Sequence, residues 1–426
     1  MLTVPPLHEA ASGCLENTDP HTVNTLAERA GFEEWTMTPA VESALRKPVE
    51  LSGPPAVEER ARPHAGTVRA MERSDLSAIA DLFTRTFRKN NRATDSQLAG
   101  YLETVFFSSP FYTPDAGSIV HLNETSAIDS AILAMPVEFN VHGRTVTAKI
   151  LCSFMAEGKS GAAGAARLAR MMRAARQDFC FSDNASPVSA DHWVAAGGLV
   201  LPVQSLEWHR TFRPAAAALN RACRKIKPLA RLPLHGLARL ADRFVRRSKR
   251  SFAAVAHDGI TSAPLSPSQF MEQAQIMMQR FSVHPVFSKP EFDWLISAAK
   301  LNASLGELKC RSVLDAQGKE IGCYLYFGAD GRNAMVMNVF CHERQEAAVI
   351  AQLFADLDNL GYASAQGMAQ PFLTQAVLRQ RHLVHRHTGY FCLVTRHADL
   401  KEGASGDGFY AGGLASESWS RLLHDF

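Results

Sequence analysis

The chain has 426 residues, room for two or three ordinary domains, and its 46% hydrophobic and 20% charged composition is that of a globular protein with sizeable cores. Its net charge of +3 is mild, no apolar run reaches the roughly 18 residues a membrane span needs, and the opening MLTVPPLHEAASGCLENTDP lacks the basic and apolar regions of a secretory signal. The eight scattered cysteines form no C-x-x-C pair, which argues against a zinc site or a disulfide framework and for reduced thiols, so the expectation is a cytoplasmic protein that is not transmembrane and binds no metal.

Residues 1–66 mix Pro, Glu, Ser, Thr and Ala with little periodicity and read as a disordered or loosely packed N-terminal arm. At Thr67 the character changes. A short strand leads to Ser74 or Asp75 as an N-cap, and Leu76, Ile79, Ala80, Leu82, Phe83 and Phe87 follow at helical spacing. DSQLAGYLETVFF predicts a second helix. The strands GSIVHLNE, SAILAMPVEFNVHG and RTVTAKILCSFMAEG come next, the last running into EGKSGAAGAARLARMM from Glu157 to Met172. Gly158, Gly161 and Gly164 stand where a strand gives way to a helix. Glycine costs about 1 kcal/mol against alanine inside a helix, so the cluster needs a reason. Either it leaves a bare helix N-terminus for an anion, or it is a flexible surface loop. The strand QDFCFSDN, a short helix around PVSADHWVAAGG and a last strand, LVLPVQSLEWHR, complete the run.

The order β-α-α-β-β-β, glycine loop, α-β-α-β over residues 67–213 resembles the acyl-CoA-binding fold of the GCN5-related N-acyltransferase (GNAT) superfamily. The family's pyrophosphate loop, Arg/Gln-x-x-Gly-x-Gly/Ala, is matched by Lys159-Ser160-Gly161-Ala162-Ala163-Gly164, with Lys for Arg and Ala for the first Gly. Asn184 ends the following strand and Gly197-Gly198 closes the short helix, as in the family. The tyrosine that the family often uses there as general acid falls at or near Trp193, whose indole cannot donate a proton in that role. The resemblance implies that acetyl-CoA or another acyl-CoA is held by Phe154, Met155, Lys159, Gly161, Ala163, Gly164, Ala165 and Asn184. Arg167 or Arg170 would add charge for the pyrophosphate. Glu157, Glu138 and His192 are the candidate catalytic acids and bases. Each also reads as structural: an exposed loop acid, a strand acid and a half-buried helix histidine. Cys152 would offer a thioester intermediate, or simply packs.

Residues 214–262 form a basic connector. Between Pro214 and Arg250 there are 11 Arg and Lys and one acid, Asp242, with apolar residues at helical spacing. It reads as a solvated helical link or as a contact for an anionic surface or polymer; the absence of a recognisable nucleic-acid motif argues against a specific nucleic-acid partner. From about 263 to 426 the same succession of elements recurs, an internal duplication. CHERQEAAVI, with no glycine, replaces the phosphate loop there, so this second copy is expected not to hold CoA conventionally. Its tail GDGFYAGGLASESWSRLL resembles the ending of bacterial GNAT-like proteins. The expected architecture is α/β (α+β): two tandem GNAT-like domains, each a mixed, mostly antiparallel sheet flanked by helices, packed as one two-lobed body. The expected function is transfer of an acyl group to an amine or hydroxyl of a small metabolite, sugar nucleotide or polysaccharide precursor. The alternatives are a non-catalytic scaffold with the same fold and an aminoacyl-tRNA-dependent transferase. His342, Gln366 and Tyr390 of the second copy are further candidates to reach an acceptor.

Overall fold

A computed structural model of the chain describes residues 66–88, 95–158, 161–174, 178–226, 232–329, 331–404 and 406–423. The expected arm and Lys159 lie outside them. In chain order the elements are β1 (Thr67–Ala70), α1 (Leu76–Phe87), α2 (Asp95–Phe106), β2 (Ile119–Leu122), β3 (Ile128–Val141), β4 (Arg144–Ala156), α3 (Ala162–Ala174), β5 (Phe179–Ala185), α4 (Pro187–Ala195), β6 (Leu199–Leu201) and β7 (Leu206–Thr211). The connector holds α5 (Pro214–Lys225) and α6 (His235–Ser248). There follow β8 (Thr261–Leu265), α7 (Pro267–Met278), β9 (Val283–Pro285), α8 (Lys289–Lys300), β10 (Glu307–Leu314), β11 (Glu320–Gly328), β12 (Asn333–Cys341), α9 (Glu346–Asn359), β13 (Ser364–Met368), α10 (Thr374–Leu378), β14 (Leu383–His387), β15 (Tyr390–Thr395) and α11 (Ala398–Ala404).

Local chemistry accounts for the helix starts. Ser186, Ser266 and Ser288 each accept the backbone N–H three residues on, and a proline follows each within the first turn, where its missing N–H costs nothing. In α1, Leu76, Ile79, Ala80, Leu82 and Phe83 are buried, the face the spacing predicts.

The strands form two mixed sheets, as expected. One runs β1-β2-β3-β4-β5-β15-β6, with β9 also on β3; the other runs β14-β7-β13-β12-β11-β10-β8. The duplication is visible in these orders, and so is an exchange. The last strand of each copy lies in the sheet of the other: β7 between β13 and β14, β15 between β5 and β6. The boundaries at 213 and 263 therefore do not separate the two sheets. LVLPVQSLEWHR, read as one strand, divides between them: β6 stays in the first sheet and β7 crosses to the second.

Burial holds each exchanged strand in place. Phe391 of β15 stacks on Phe181 of β5, their ring centres 5.4 Å apart, and Phe391, Cys392 and Leu393 are all buried. Trp208 of β7 packs edge-on against Phe354 of α9 at 5.3 Å. Each such aromatic contributes roughly 1.5–3 kcal/mol by leaving water. The largest core is continuous across both halves: it includes Phe83, Phe139 and Phe181 of the first with Phe292, Leu325 and Phe340 of the second.

Candidate functional site at the splayed strands

In both sheets the central strands part. β4 and β5 run parallel and pair only at Ala148↔Phe179, Lys149↔Cys180 and Ile150↔Phe181. β4 continues to Ala156 and β5 to Ala185, so a wedge opens between them. Where it opens, Leu133 pairs with Ser153 and Ala134 with Leu151, which leaves Cys152 outside the ladder as a bulge. From Leu151 on, the edge of β4 that faced β5 has no strand partner among the described residues. Phe154 and Met155 lie on this open stretch, and α3 begins just beyond it. Backbone groups left unpaired along a wedge, with a helix N-terminus at its mouth, suit a ligand with an amide arm and an anionic end.

The second wedge is closed by the protein itself. β12 and β13 pair only from Asn333↔Ser364 to Val336↔Gly367. Beyond that, Asn338 accepts from Leu414 N–H at 3.1 Å and donates to the Tyr410 hydroxyl at 2.8 Å, while Gln370 donates to Ala411 O at 2.8 Å. Residues 410–414 thus bond to the stretch where β12 and β13 part, at the position where β4 and β5 stay without a strand between them. Sequence reasoning sees the lost glycines but not the plug.

The same tail then builds a polar cluster at the first wedge. Asp183 of β5 accepts from Glu417 N–H and from the Ser418 hydroxyl, both at 3.1 Å. Glu417 is only 2% exposed. Burial, and then the charge of Asp183, hold its carboxyl well above the usual range. Burial also raises Asp183, but the hydrogen bonds from Glu417 N–H and from Ser418 and Ser416 counter it. Both carboxyls are therefore held above the ordinary range, as one interacting pair. Cys152 faces this pair. Burial, followed by the neighbouring Glu417 and Asp183 carboxyls, pushes its thiol well above the ordinary range, which disfavours the thiolate that a thioester intermediate needs. Tyr101 of α2 closes the back: its hydroxyl donates to Ser420 at 3.2 Å and accepts from Arg421 N–H at 2.8 Å.

The sequence-predicted residues are dispersed. Glu157 is exposed and ion-paired with Arg85 at 3.4 Å. Glu138 sits opposite Thr147, whereas the residue before Glu157, Ala156, sits opposite Ser130. About ten residues of strand, roughly 33 Å, therefore separate the two acids. Glu138 instead neighbours Glu291 on α8. His192 is half-buried on α4, beside a small cluster of Ala185, Ala190, Trp193 and Cys392. Asn184, next to last in β5, packs on Gly389, where any Cβ would meet its Oδ1 at 2.5 Å. Gln366 bonds Asn333 within the second sheet. His342 follows β12, and Tyr390 packs on His387.

The glycines have a packing reason that the loop motif hides. A Cβ on Gly161 would lie 2.5 Å from Glu157 N and 2.6 Å from Asp129 O; one on Gly164 would strike the side chains of His121 and Ser130. Beneath Gly164, His121 Nδ1 and Asp129 Oδ1 lie 2.7 Å apart, both buried, and the Ser130 hydroxyl donates to Asp129. Arg167 turns inward, donating to Gly66 O at 2.8 Å. Ala165 is buried, whereas Ala163 and Arg170 are exposed at the helix surface.

The Glu138–Glu291 contact gives a pH-dependent prediction. Glu291 is 1% exposed, and burial together with Glu138 pushes it up to about 9. A raised carboxyl pKa contributes stability that is complete below the unfolded value near 4.5 and is lost as pH rises to about 9. Glu291→Gln removes that slope. The two proteins should unfold at similar urea concentrations at pH 4.5 and diverge above it, the variant being more stable by on the order of 3 kcal/mol at pH 7. Urea titrations at both pH values check this; parallel midpoints would mean that Glu291 is ionised in the folded chain.

No family model matches the sequence, and no curated protein matches it significantly. Among solved structures, the chain is similar to a protein from Enterococcus faecalis described as a probable N-acyltransferase (12% identity, 78% of this chain and 72% of that one, TM-score 0.49). It is also similar to a GCN5-related N-acetyltransferase from Anabaena variabilis (9%, 77% and 72%, 0.48) and to Saccharomyces cerevisiae N-myristoyltransferase with bound myristoyl-CoA (10%, 87% and 93%, 0.43). At TM-scores below 0.5 these likenesses assign no residue and no activity. Among the described residues no helix is long and apolar enough to cross a membrane, and no cluster of His, Cys, Asp and Glu is arranged to hold a metal ion.

Proposed function

We propose that the protein is an acyltransferase that takes an acyl group from acyl-CoA, acetyl-CoA or a longer homologue, and passes it to an amine or hydroxyl. The observation that carries this reading is the open wedge between β4 and β5, bulged at Cys152, with the start of α3 at its mouth and a carboxyl pair at its floor. The pantetheine arm would hydrogen-bond to β4 along Cys152–Ala156, and the pyrophosphate would sit at the N-terminus of α3, whose dipole offers about half a positive charge. Asp183 takes the proton of the attacking acceptor. The new bond forms at the acyl carbon, the carbon–sulfur bond breaks, and Glu417 gives its proton to the departing thiolate. That assignment would supply the acid that Trp193 cannot.

Binding is tested by titration calorimetry with acetyl-CoA and longer acyl-CoAs. Gly164→Glu is unsuitable as the disrupting variant, since it would collide with buried His121. Ala163→Glu is suitable: the site is exposed in the first turn of α3, where an acid favours the helix but repels phosphate. It should preserve the melting temperature and weaken acyl-CoA binding at least about tenfold, the cost of about 1.4 kcal/mol of lost anion stabilisation. A wild-type chain without measurable affinity at millimolar acyl-CoA would overturn the reading in favour of a scaffold.

A further inference from the structure

The connector helix α6 shows water an apolar stripe. Leu237 is 66% exposed, Leu240 53% and Phe244 69%, and their spacing of i, i+3, i+7 puts all three on one face. Arg239, Arg243 and Arg247, at i, i+4, i+8, line one side of that stripe and are exposed. The opposite face is fixed to the protein. Asp242 is buried and accepts from Ala215 N–H at 2.7 Å and Ala216 N–H at 2.9 Å, closing the start of α5. Arg246 is no part of the free surface: it pairs with buried Asp358 at 2.6 Å and donates to Phe212 O. The helix is therefore anchored on one side and presents the other ready-made.

We propose that this face of α6 docks the protein on an anionic lipid bilayer. Among anionic partners, a bilayer meets both halves of the pattern at once. Its phosphates lie in a plane that takes the arginine row, and a few ångströms below them is hydrocarbon for Leu237, Leu240 and Phe244. A sugar polymer or nucleic acid would pair with the arginines and leave the three apolar side chains in water. A second copy related by a two-fold axis would bring the same arginine row against itself. The docking is independent of the chemistry at the wedge.

Flotation of the full chain with phosphatidylcholine vesicles, with and without about one third phosphatidylglycerol, tests this. The protein should float with the anionic vesicles at least about tenfold more than with the neutral ones, and less at high salt. The double variant Leu240→Ser/Phe244→Ser should lose flotation about tenfold while keeping the wild-type melting temperature and its retention on heparin; Phe244→Leu should keep flotation. Arg239→Gln/Arg243→Gln/Arg247→Gln should lose both flotation and heparin retention. Wild-type protein that stays unbound with anionic vesicles overturns the proposal. So does flotation indifferent to the serine variant, which marks a purely ionic contact, or a dimer that the serine variant dissolves, which gives the face to a second copy.

Discussion

Asp183→Asn should lower turnover about 100-fold or more while leaving acyl-CoA bound. The substitution is nearly isosteric, and the asparagine oxygen can still accept from Glu417 N–H. Its amide group can donate to the Ser418 hydroxyl, which today is the donor, so both tethers of the tail survive. What disappears is a group able to take a proton from an amine or alcohol. Loss of a positioned base costs about 10²- to 10⁴-fold. Thiol release from acyl-CoA in the presence of a panel of amines and alcohols is the measurement, with calorimetry on the same samples. Glu417→Gln should lose less, because water can protonate a departing thiolate of low basicity. An Asp183→Asn protein with turnover within threefold of wild type would remove the carboxyl pair from the chemistry. Loss of binding along with turnover would instead make Asp183 a support of the wedge.

The largest structural effect should come from adding one carbon at Gly161. The new methyl would sit 2.5 Å from Glu157 N and 2.6 Å from Asp129 O, the two ends of a 2.8 Å backbone hydrogen bond that ties the start of the loop to β3. Neither atom is the tip of a side chain that can swing aside. The strain must be relieved by moving the loop or by breaking the bond, and either uncovers the buried His121–Asp129 pair. Gly161→Ala is expected to cost about 3 kcal/mol or more, at the upper end of overpacking. Gly158→Ala meets only open space but carries a φ of +50°, so it should cost about 1 kcal/mol. Urea denaturation of the two variants separates these figures. Equal small losses would return the glycines to the role of a flexible loop.

That comparison also shows how far the sequence is readable. The glycines stand where strand becomes helix, and the loop motif locates the mouth of the wedge. It misassigns their cause, because the crowding groups come from far upstream: His121 from β2, Asp129 and Ser130 from β3. The duplication is legible because hydrophobic periodicity repeats element by element. The exchange of β7 and β15 is not: a strand such as YFCLVT carries burial on its faces but no record of which edge it joins. β8 and β9 are missed because they are short and contain proline, which the edge of a sheet tolerates and pattern matching rejects. Glu417 is beyond any local reading. Its partner Asp183 lies 234 residues away in the chain, and only the folded tail brings them together.

The crossed strands impose a timetable on synthesis. β5 receives β15 only after roughly 200 further residues have been made, about 10–40 s at 5–20 residues per second. Throughout that interval Phe181 lacks the ring that later covers it, and the strand edge beside it is open to foreign pairing. Nascent chains should therefore lean on ribosome-associated holdases, and a transcript cut short anywhere before Tyr390 should yield insoluble product rather than a smaller folded protein. Two genes carrying the halves separately would be rescued only when translated together, each supplying the other's missing strand.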